Sequence, residues 1–164
     1  QFILQPILIF GVLFHFVMGF VLELQNSKSR STSYSVYKGK TNASWMSRNM
    51  ILSGIVILSF LGLHFYDFWV PEMNYKYVQV LPLDQNRYFE ELVHKFESPV
   101  RVTIYAFSFI FLSLHLLHGF ASSFQSVGLN NKYTKSIKSF TTAFSIIVPI
   151  GFVFIAVFHH INKF

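Results

Sequence analysis

Cysteine is absent from the 164 residues, so the chain forms no disulfide, has no thiolate chemistry and ligates no iron–sulfur cluster of its own. Charge is scarce as well. Only 12% of the residues are charged, against about 25% in a typical soluble domain. Acidic residues are the scarcest, 7 against 13 basic ones. Proline is rare, and only Pro149 interrupts the interior of an apolar run. A single soluble domain, which the length alone would allow, does not fit this composition.

What is abundant is apolar and aromatic. Hydrophobic residues make up 52% of the chain, phenylalanine alone occurs 21 times, and the mean hydropathy is +0.46. These residues concentrate in four blocks: about Phe2 to Leu24, Met50 to Val70, Val100 to Phe124 and Phe140 to Ile161. Each block, at ~1.5 Å per residue, can cross a hydrocarbon core of ~30 Å. A lipid-embedded backbone must satisfy its own hydrogen bonds, so the blocks are helices. The expected fold is an all-α integral membrane helix bundle with four transmembrane helices in one domain. Ser98-Pro99 reads as the start of the third helix, with serine as N-cap and proline at the first position. Pro149 predicts a kink in the fourth.

The connecting segments set orientation. Lys28, Arg30, Lys38, Lys40 and Arg48 lie between the first two blocks, and Lys132, Lys135 and Lys138 between the last two, with no acid among them. The middle segment carries Glu72, Asp84, Glu90, Glu91 and Glu97 against Lys76, Arg87 and Lys95. By the positive-inside rule, residues 25–48 and 126–139 are cytoplasmic and the acidic segment is external, in a multi-pass membrane protein. The basic excess is thus a topology signal and not a nucleic-acid face. The chain opens on Gln1 and turns apolar almost at once, without a basic n-region or small-residue cleavage site. It reads as starting partway through a larger protein, not as a signal peptide.

Three of the blocks each deliver an imidazole to the membrane interior: His15, His64 and the pair His115 and His118. No water solvates a ring there, so each needs a partner. His15 and His115 both lie about ten residues, ~15 Å, from the cytoplasmic ends of their helices. His64 lies about fifteen residues, ~23 Å, from the inner end of its own. Two histidines level on different helices can clamp a haem iron between them, and the aromatic surroundings suit a macrocycle. The plainer alternative is that each histidine hydrogen-bonds a neighbouring helix and serves packing. His118, one turn from His115, cannot reach the same iron and is placed beside the haem on its propionate side.

At these residues the chain resembles a known family. Phe14-His15-Phe16-Val17-Met18-Gly19-Phe20, Met46-Ser47-Arg48-Asn49-Met50, Leu63-His64-Phe65-Tyr66-Asp67-Phe68-Trp69 and the run from His115 through Gln125-Ser126-Val127-Gly128 are similar to the membrane-anchor cytochrome b subunit of succinate dehydrogenase and fumarate reductase. The likeness is to the single-subunit, five-helix, two-haem class that couples to menaquinone. It covers essentially the whole chain, and the run ending at Gly128 is its most specific part.

The resemblance implies that His15 and His115 hold the haem b nearer the cytoplasm. His64 would hold an outer haem b, whose second ligand lies on a first helix that this chain does not show. It also implies a flavoprotein subunit with FAD and an iron–sulfur subunit docked on the cytoplasmic basic segments. Succinate oxidation itself would occur on the flavoprotein. Electrons would pass from the Fe–S clusters through both haems to menaquinone, in a direction the sequence leaves open. Arg48, Ser122 and Gln125 lie where propionates would point, arginine being a natural partner for them. Helix-end snorkelling is the alternative for Arg48. For the quinone the sequence offers only a region, the outer end near Asp67, Glu97 and His159, where acids and imidazoles could relay protons. Two other readings compete. One is a dihaem cytochrome b anchoring a hydrogenase or formate dehydrogenase. The other is a transporter whose histidines relay protons, against which stands the lack of an inverted repeat.

Overall fold

A computed structural model of the protein describes residues 3–29, 48–82, 84–129 and 131–162. Phe2, Arg30, Lys38, Lys40, Met46 and Ser47, which figure in the expectations above, lie outside the described residues. The described elements are α1 (Leu4–Ser29), α2 (Met50–Val78), α3 (Arg87–Phe96), α4 (Pro99–Ser126) and α5 (Thr134–Ile161). The fold is all-α, and α1, α2, α4 and α5 are each long and apolar enough to cross a membrane. The chain divides into two units, Gln1–Gly54 and Ile55–Phe164. In the first, α1 buries none of its residues. The second is built on an antiparallel pair, α4 and α5, against which α2 and α3 pack.

The helices overrun the apolar blocks at several ends. α1 continues from Leu24 to Ser29, with Lys28 in its last turn, where a cation offsets the negative end of the helix dipole. α5 begins at Thr134, so Lys135 and Lys138 lie on its first turns and not in a loop. It then runs unbroken across Pro149, whose side chain is fully buried.

The largest extension is in α2. An apolar run that reaches Pro71 should stop there, because proline lacks an N–H and its ring collides with the carbonyl one turn back. The helix instead continues to Val78. It does so by widening: Phe65–Trp69 forms a π-helical turn in which the Val70 N–H bonds the Phe65 carbonyl five residues back. A second π-turn spans Asn74–Val78. A wide turn just before Pro71 gives the ring room without ending the helix.

α4 keeps the start that the sequence announces. Ser98 is its N-cap, the hydroxyl accepting from the Arg101 N–H at 3.5 Å, with Pro99 at the first position. Its other end is a Schellman motif: the Gly128 N–H bonds the Gln125 carbonyl at 3.0 Å, and the Leu129 N–H bonds Phe124 at 3.1 Å. Gly128 makes this closure at φ 78°, a conformation that side-chain-bearing residues adopt at a cost.

Candidate functional site

The second unit packs around Tyr105, which is 2% exposed. Rings converge on it edge-on: Phe60 from α2 at 5.0 Å, Phe96 from α3 at 5.3 Å and Phe109 one turn along α4 at 6.1 Å. Val102 and Ala156 complete the buried cluster. Such edge-to-face contacts add about 0.5–1.5 kcal/mol each beyond the area they bury.

A charged cluster borders this aromatic shell, its carboxylate buried and its cations part-exposed. The Asp67 carboxylate is completely buried, and the π-turn of α2 carries it toward α4. Arg101 grips it as a fork, Nη2 donating to Oδ1 at 2.8 Å and Nε to Oδ2 at 2.9 Å. The Tyr105 hydroxyl donates to Oδ2 at 3.2 Å, and the Lys95 ammonium stands 3.7 Å from Oδ1. One carboxylate thus draws donors from α3 and α4. A buried carboxylate is tolerated in a membrane span only when paired in this way.

One turn before Asp67 on the same helix is His64. Its ring sits among Phe68 at 5.2 Å, Phe60 at 5.8 Å and Tyr105 at 6.4 Å. Its Nδ1 is sealed from solvent and has no hydrogen-bond partner among the described residues.

The other expected site residues fall elsewhere. His115 and His118 are half-buried on α4, with His115 ten residues, ~15 Å along the helix, from the Tyr105 that flanks His64. His64 and His115 therefore belong to different depths. His15 lies on α1 in the first unit and is exposed, as is Arg48. The Ser122 hydroxyl donates to the His118 carbonyl of its own helix at 2.7 Å, and Gln125 is exposed. Among the described residues no three His, Asp or Glu side chains group to hold a bare metal ion.

Of the three residues at the expected quinone end, Asp67 is committed to the charged cluster, and Glu97 is exposed, with His94 at 3.4 Å. His159 lies against Phe89 at 5.6 Å. An open cleft of about 380 Å³ at the junction of α3 and α4 is lined by His94, Lys95, Glu97, Ser98 and Arg101.

Sequence reasoning missed Arg101 and Tyr105. The available signal was an arginine at the second position of the third apolar block; such a charge calls for a partner. It also missed α3 and the network holding it. Glu72 bonds Arg87, accepts from the Tyr88 hydroxyl at 2.6 Å and pairs with Lys76. Arg87 also stacks on Tyr75 at 4.2 Å. The acidic segment between the second and third blocks is thus largely helical, not an open loop. No family model, no curated protein and no solved structure matches the chain.

Proposed function

We propose that the chain is the haem-carrying cytochrome b anchor of a membrane-bound succinate:menaquinone oxidoreductase. Its part is to pass electrons from an iron–sulfur partner subunit across the membrane to quinone. The observation that carries the haem part is His64: an imidazole in a membrane span, caged by three aromatic rings, with its buried Nδ1 unbonded. Dry aromatic surroundings of this kind suit an axial ligand of a macrocycle, and no hydrogen bond to the described residues occupies Nδ1. His15 and His115 are the pair for a second haem, nearer the cytoplasm. Bound haem would supply one-electron chemistry, and the residues of this chain set its ligation, spacing and dielectric.

The succinate assignment rests on the motif resemblance around His15, His64 and His115–Gly128. The flavoprotein with FAD, the iron–sulfur subunit and the bacterial inner-membrane location follow from the same resemblance. Arg48, Ser122 and Gln125 stand at the propionate end of that arrangement.

The test is a dithionite-reduced minus oxidised spectrum of the purified membrane complex, for wild type and for His115→Ala. A low-spin b-type signal that falls by about half in the variant supports two haems with His115 ligating one. A wild-type complex without haem bands ends the reading and returns the histidines to packing or proton relay.

A further inference from the structure

Asp67, Arg101, Lys95 and Tyr105 remain unexplained by axial ligation. We infer that the Asp67–Arg101 pair sets the reduction potential of the group that His64 holds, through an oriented charge pair built into α2 and α4. The inference rests on the reading of His64 as a haem ligand.

The geometry gives the pair a direction. The Asp67 carboxylate has no exposed surface and lies one turn from His64, while the Arg101 and Lys95 side chains retain 31% and 26% of theirs. The Tyr105 ring flanks His64, and its hydroxyl reaches Asp67 Oδ2 at 3.2 Å. The anion is thus the buried end, one helical turn from His64, and the cations are the outer end, lining the cleft at the junction of α3 and α4. A nearby anion in a dry site stabilises the oxidised, more positive form of a haem and lowers its potential. Arg101 and Lys95 offset part of that effect from farther out. Packing alone asks for none of this, because apolar side chains of similar volume would fill the same space without the cost of desolvating ions.

A test that separates charge from damage uses variants with opposite expected signs. Asp67→Asn keeps the size of the side chain and one acceptor oxygen and deletes the anion; Arg101→Gln deletes the main cation. Redox titrations of the haem-loaded complex, followed at the b-type absorbance, should show one haem shifted up in Asp67→Asn and the same haem shifted down in Arg101→Gln. The other haem should stay put in both. Loss of packing would move both variants in one direction or broaden both haems. Haem signals with unshifted potentials, or shifts of the same sign, overturn the inference while leaving His64 a ligand. No haem in wild type overturns the underlying reading as well. Should either variant fail to retain its haem, Lys95→Gln decides. Its ammonium is part-exposed, and a downward shift smaller than that expected for Arg101→Gln supports the inference. No shift there ends it.

Discussion

The two halves of α4 differ in what their longest polar side chains reach. In the half that begins at Pro99, Arg101 and Tyr105 bond across to Asp67 of α2, while the Thr103 and Ser108 hydroxyls turn back on their own helix. At the same end, His160 of α5 bonds the Phe96 carbonyl of α3 at 2.9 Å. In the half that ends at Ser126, the serine hydroxyls turn back on their own helix, Ser122 to His118, Ser123 to Phe120 and Ser126 to Ser122. Burial follows the same division. All four buried residues of α4, Val102, Tyr105, Ser108 and Phe109, lie in the first half, whereas His115 and His118 in the second are half-buried. A bond between helices fixes how they sit together; a hydroxyl bonded to its own helix only keeps itself dry. The first half thus supplies a rigid frame.

Substitutions along α4 sharpen that contrast. The largest effect is expected for Asp67→Ala, which strips Arg101, Tyr105 and Lys95 of the acceptor they share. It should cost about 1–3 kcal/mol, read as a loss of thermal stability in detergent; a change no larger than that of a surface variant would dissolve the distinction between the halves. Gly128→Ala comes next. No side chain crowds the position, so the penalty is the positive φ alone, about 1 kcal/mol, seen as faster amide exchange at the Gln125 end of α4. Ser122→Ala should be smallest, within about 0.5 kcal/mol. A greater loss of stability would mean that the serine half is also tied across helices.

Part of this architecture is legible in the sequence. Four apolar runs announce four helices, and Ser98-Pro99 marks the start of α4 to the residue. Helix ends beyond the apolar runs are not legible from hydropathy, because Lys28, Lys135 and Lys138 are good helix formers at polar depths. Pro71 misleads for a different reason. Proline ends a regular α-helix, and only the backbone reveals that a π-turn has made room for it. Gly128 belongs to the run most specific to the resemblance, yet its place at the helix end has a sufficient conformational cause. The His64 site is half legible: the imidazole is visible in its apolar run, but the cage around it draws on α4.

The sequence by itself determined that the chain spans a membrane and where its four long helices run. In hydrocarbon the backbone can bond only to itself, so local composition decides. It also put imidazoles inside three of the apolar runs, one each on α1 and α2 and two on α4. The tertiary structure alone decided which polar groups meet. Asp67 and Arg101 are 34 residues apart, and no periodicity of either helix pairs them. Their meeting depends on a widened turn that carries the carboxylate inward, and on the antiparallel course of α2 and α4, which brings an arginine to the same level.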